Sequence, residues 1–125
     1  MNIKKAFLIT AFFAMLVLAL LYGLSPGWFV RTFFDIAEIP TDIAHIFRAI
    51  MGLYIALGLF WLFSAFSDRY RSAGVATVVV VAAGLVTGRL ISLFMDGVPS
   101  PLLVSYIAIE LLIIPVALWV FRLPE

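Results

Sequence analysis

Gly84-Leu85-Val86-Thr87-Gly88-Arg89-Leu90-Ile91-Ser92-Leu93-Phe94-Met95-Asp96-Gly97-Val98-Pro99-Ser100-Pro101 begins as an apolar helix, sets an arginine where lipid should be, and stops at a turn. A guanidinium cannot shed its proton, and near the bilayer centre it costs roughly 3 kcal/mol on insertion scales and more in simulations. It must therefore face protein or water and find a partner. Arg89, Ser92 and Asp96 follow a three-then-four spacing that puts them on one helical face. Gly84 and Gly88 form a small-xxx-small pair on the flank of that face, where another helix can come close.

Outward from this stretch, the chain is built for the same environment. Of its 125 residues 66% are hydrophobic and only 12% charged, against roughly a half and a quarter in soluble domains. A hydrocarbon core of ~30 Å takes ~20 helical residues per crossing. Four apolar runs qualify, at residues 6–24, 44–66, 73–95 and 102–121, and they use most of the chain. The expected fold is all-α: one domain, an integral membrane antiparallel four-helix bundle with a short interfacial helix between spans one and two. Without cysteine, disulfides, thiolate metal sites and S-palmitoylation are excluded. A net charge of +1 gives no reason to expect nucleic acid. There is no phosphate-binding loop or dinucleotide fingerprint, and one histidine leaves a metal site few ligands. No cofactor is expected.

The first run, preceded by Lys4-Lys5, reads as a retained helix, because its apolar core is longer than the ~7–15 residues of a signal sequence and no small-x-small cleavage pattern follows. Ser25-Pro26 is a helix start. Over 26–37, Trp28, Phe29, Thr32, Phe33 and Ile36 share one arc and Arg31, Asp35 and Glu38 the other, the pattern of a helix lying flat at the headgroups. It is either an interfacial anchor or a lid over the bundle mouth. Pro40-Thr41-Asp42 caps the second span, where Gly52 and Ala56 form another small pair. Pro115 removes a donor inside the fourth span, so a kink is expected near Leu111. Lys4, Lys5, Arg69, Arg71 and Arg122 fall on one side of a four-span model, and Arg31 is the only loop arginine opposite. The positive-inside rule then puts both termini in the cytoplasm.

At ~1.5 Å per residue, Arg48 lies ~10 Å below the outer surface, Arg89 the same, and Glu110 ~13 Å. Three helices thus bring two guanidiniums and one carboxylate to a similar level, with His45, Ser92, Asp96 and Tyr106 between that level and the surface. One reading is a buried network that fixes which helix packs where. The other is an outward-opening pocket for an anionic or zwitterionic group, such as a lipid head or carboxylate. A proton relay through Glu110 and His45 is a third use, opposed by the nearby arginines. Nothing in the sequence supports a specific reaction, so it leans away from catalysis. Taken by themselves, Tyr54, Thr10 and Tyr22 read as core or interfacial filler.

Residues 47–58 (Phe47-Arg48-Ala-Ile-Met-Gly52-Leu-Tyr54-Ile-Ala-Leu-Gly58), with Gly88-Arg89, Asp96-Gly97-Val98-Pro99-Ser100 and Glu110, resemble domain-of-unknown-function family 4345, a group of small bacterial four-helix membrane proteins. The resemblance spans nearly the whole chain. It implies a four-span inner-membrane protein and groups Arg48, Tyr54, Arg89, Asp96 and Glu110, but supplies no activity. A looser similarity to DoxX-like proteins rests on architecture alone, which does not carry function. The leading expectation is a non-enzymatic membrane protein that binds a lipid-like or small amphiphilic ligand through Arg48, Arg89, Glu110, Asp96, His45, Ser92, Tyr106 and Tyr54, or accompanies a larger complex. Its expected partners are membrane lipids, an amphiphile, and a membrane protein or a second copy. The alternatives are a small membrane enzyme or proton-coupled carrier using Glu110, and a purely structural subunit.

Overall fold

The computed structural model describes residues 2–124, and within them every regular element is a helix. These are α1 (Ile3–Gly23), α2 (Pro26–Phe33), α3 (Thr41–Ala65), α4 (Arg71–Asp96) and α5 (Pro101–Arg122). Hydrocarbon offers the backbone no hydrogen bonds, so apolar runs of this length satisfy their own N–H and C=O groups by coiling. α1, α3, α4 and α5 hold 21, 25, 26 and 22 residues, each long and apolar enough to cross a membrane. They match the four expected spans with boundaries moved by a few residues. α5 runs unbroken through Pro115.

α1 packs chiefly against α3 and α4 against α5, and the two pairs meet more loosely. Their firm contact lies at one end, where Lys4, Lys5, Arg69, Arg71 and Arg122 also collect. There the Trp61 Nε1–H donates to Thr77 Oγ1 at 2.8 Å, and Leu8, Ser64, Ala65, Val75 and Ala117 are sealed from solvent. Gly74 makes this possible, since a Cβ at that position would sit 2.6 Å from the Ser64 Cβ. The Arg71 Nε–H donates to the Ala65 carbonyl at 3.1 Å, and Lys4 Nζ donates to Ser72 Oγ at 2.9 Å. Lys5 lays its ammonium over the Phe66 ring at 4.4 Å.

At the opposite end α2 covers α1 and α3. Ser25 caps it, accepting from the Trp28 N–H at 3.3 Å, and Pro26 takes the first turn as the sequence suggests. The helix ends at Phe33, short of the expected residue 37. Asp35 adopts φ 56°, a left-handed conformation that aspartate tolerates better than most residues, and the turn lets the Ile36 N–H reach the Val30 carbonyl at 3.1 Å. Its buried face is Pro26, Phe29 and Val30, narrower than the expected aromatic arc, while Thr32 and Ile36 are exposed. Phe29 is fully buried, edge-on to Tyr22 at 4.8 Å and to Phe47 at 6.0 Å. α2 is therefore a cover seated on α1 and α3, with Phe29 and Val30 its most deeply buried side chains. Pro40, not Thr41, occupies the cap of α3, and no side chain bonds there.

Neither small-residue pair is used within the chain. A Cβ added at Gly52, Gly84 or Gly88 meets nothing within 4 Å, so neither small-residue pair seats a helix of this chain. The close approaches are at Gly23 against Met51, Gly58 against Phe12 and Gly74 against Ser64. In these places two backbones meet, whereas spacing alone marks only where they are able to.

Candidate functional site

Arg89 and Glu110 meet. The 97–101 turn is short, so α4 and α5 are antiparallel neighbours, and residues equally far from the turn stand level. The Arg89 Nε–H donates to Glu110 Oε2 at 2.9 Å, and the two side chains are 20% and 12% exposed. That is enough burial for the pair to be charge-assisted and strong, and for either member to be costly alone. The guanidinium also lies over the Tyr106 ring, 5.4 Å from its centroid.

Three phenols surround this pair. Tyr22 of α1 and Tyr54 of α3 are each 8% exposed, and with Tyr106 of α5 their rings lie 6.2 and 6.5 Å from Tyr22. Tyr106 Oη is buried without a hydrogen bond of acceptable geometry, although the Tyr22 hydroxyl lies beside it.

The cluster is not closely packed on every side. Arg89, Glu110 and the three tyrosines sit in the wall of a cavity of about 540 Å³ between α1 and α5, otherwise lined mainly by aliphatic and aromatic side chains such as Phe13, Leu18 and Ile113. A further space of about 200 Å³ continues it past Ala14, Met15 and Leu85 to Phe7 and Trp61. From Phe7 to Tyr22 the slot follows ~22 Å of α1 at the helical rise. On the other side of Arg89 a groove of about 460 Å³ runs between α3 and α4, with Gly84 and Gly88 along it and Ser92 at its polar edge. The glycines that seat no helix are what leave this groove open.

The remaining expected residues are elsewhere. Arg48 does not converge on Glu110. It is exposed and its Nη1 donates to the Gly23 carbonyl at 3.0 Å, answering a carbonyl that the end of α1 leaves without an intrahelical partner. The close approach of Gly23 to Met51, one turn along α3, brings that carbonyl within reach. His45 is exposed and lines neither space. Asp96 is exposed and accepts from Ser92 Oγ at 2.7 Å, a bond within α4 and not to Arg89. Tyr22 and Thr10, read from sequence as filler, both line the main cavity. A signal for them existed: they are the only polar side chains between Ala6 and Tyr22, and in an apolar span each asks for a partner. Thr10 finds it in the Ala6 carbonyl at 2.9 Å.

A family model described as Domain of unknown function (DUF4345) matches residues 3–121, and the chain belongs to that family. Neither a curated protein nor a solved structure matches the chain.

Removing one member of a half-buried pair costs about 3–5 kcal/mol, mostly from the charge left behind. Arg89→Leu and Glu110→Gln are each expected to lower stability in detergent on that scale, and the double variant to lose less than their sum. Simple additivity in thermal or denaturant unfolding would show that the two residues are not coupled.

Proposed function

We propose that this member of the DUF4345 family is a non-enzymatic membrane protein that holds a lipid-like amphiphile, with its chain in the slot between α1 and α5 and its head at Arg89, Glu110 and the tyrosines. One observation carries the reading: the ion pair opens onto an apolar cavity of about 540 Å³, within the ~300–1,000 Å³ typical of small-molecule sites. A network serving only to lock helices gains nothing from a void beside it, because unfilled space forfeits packing energy. A proton-carrier role needs a carboxyl free to exchange its proton, and the bond from Arg89 to Glu110 counts against it.

The test is to fill the slot. Ala14 borders both parts of the cavity, and Ala14→Phe puts a ring into it. Native mass spectrometry of protein released from its own membrane is expected to show about one retained lipid-like molecule per wild-type chain and its loss from the variant. Equal occupancy in both, or none in either, would end the ligand reading.

The same proposal sets the protein in a bacterial inner membrane with both termini in the cytoplasm, supported by the five basic residues that gather at the end opposite α2. Single cysteines at Ser72 and Gly97 report the orientation, since the chain has no cysteine of its own. An impermeant thiol reagent on intact cells is expected to label position 97 and spare 72; the reverse pattern would invert the topology.

A further inference from the structure

We infer that the head group taken here is uncharged and rich in acceptor oxygen, a carbonyl, ester or ether, and that it enters sideways from the bilayer between α1 and α5. The inference rests on the ligand reading above and narrows it.

Charge is the first argument. The cavity wall contains one cation, Arg89, and one anion, Glu110, already bonded to each other. Arg48 is engaged by the Gly23 carbonyl, and Asp96 by Ser92 on the exposed side of α4. The site is therefore balanced, and an ionic head would leave one uncompensated charge against apolar walls, where it is least tolerated. The anionic ligand suggested by two converging arginines loses its basis.

Hydrogen-bond supply is the second. Arg89 commits its Nε–H to Glu110, and the rest of its fork points toward Tyr22 and the two open spaces. Three phenolic hydroxyls add donors. If Tyr22 and Tyr106 bond each other, the bond uses one hydroxyl hydrogen and leaves the other to be placed. Thr10 adds none, its hydrogen being committed to Ala6. Against these donors the wall offers one strong unspent acceptor, the second oxygen of Glu110. A buried donor left unmatched is expensive, so the complement of this wall is an acceptor without charge.

The route follows from what is closed and what is open. Phe29 of α2 covers Tyr22 on the α1–α3 side, the packed residues around Trp61 and Ser64 block the opposite end, and the groove between α3 and α4 reaches Arg89 only along its more polar edge at Ser92. The lateral rim is apolar and accessible: Phe13, Val17 and Ile109 are 57%, 63% and 53% exposed. All three lie well inside helices long enough to span the membrane, so the opening faces hydrocarbon, not water.

The experiment uses oleyl chains carrying the same mid-chain diazirine and ending in a methyl ester, an ionised carboxylate, an ammonium or no head at all. Each is added to the full-length protein in phosphatidylcholine nanodiscs, irradiated, and the cross-links are mapped by peptide mass spectrometry. The methyl ester is expected to label α1 and α5 about fivefold above the other three, the size of one neutral hydrogen bond. Tyr106→Phe, with Tyr54→Phe as a second variant, is expected to bring the ester down toward the headless chain. Strongest labelling by either ionic probe, or equal labelling by ester and headless chain, would overturn the head-group inference while leaving a chain-binding slot. Absence of all four probes from α1 and α5 would instead refute the ligand reading on which it rests.

Discussion

A guanidinium carried inside an apolar helix keeps its charge, and everything around Arg89 answers that fact. Its partner comes from the neighbouring helix because a short turn stands Glu110 level with it. The tyrosines gather because a half-buried ion pair keeps hydrogen-bonding capacity that apolar neighbours cannot meet. The pair fixes α4 against α5, and α1 with α3 forms the other half of the bundle. The slot lies between these halves, and the pair is set in its wall.

The two ends of the bundle show what glycine does in a membrane. At Gly74 the missing side chain lets α4 approach Ser64 of α3, and the surrounding residues are sealed. At Gly84 and Gly88, on the same helix, the missing side chains leave space beside Arg89 instead. Lipid tails are as apolar as leucine, so no hydrophobic force drives helices together here; contact depends on fit and on polar bonds. The closed end has those bonds in Trp61–Thr77 and Arg71–Ala65. The other end has Phe29 packed over Tyr22 and the Arg89–Glu110 bond below it.

The spans were legible because membrane thickness sets helix length and hydrocarbon excludes irregular backbone. The Arg89–Glu110 contact was legible for a narrower reason: depth along a helix follows from counting, and one short turn ties the two helices together. Depth says nothing about azimuth. Arg48 stands at the right height on α3, but its guanidinium goes to the end of α1, because the Gly23 backbone meets α3 near Met51. No local pattern encodes that meeting. Tyr22 was passed over for the opposite reason, since a lone phenol near a helix end usually reads as an interfacial anchor. The shortened α2 turned on Asp35, where a single left-handed residue outweighed a continuous amphipathic pattern.

The central claim is that the bundle keeps a slot beside its ion pair for an apolar chain. Magnetisation transfer from lipid acyl protons to side-chain methyls, measured by NMR on the protein in bilayers, examines it directly. The account predicts transfer to Ile113 and Leu18, both lining the two parts of the slot, in addition to Val17 and Ile109 at its rim. Transfer confined to the rim, with Ile113 instead in direct contact with the side chains of α1, would mean that the helices close on each other and the slot does not exist in the membrane.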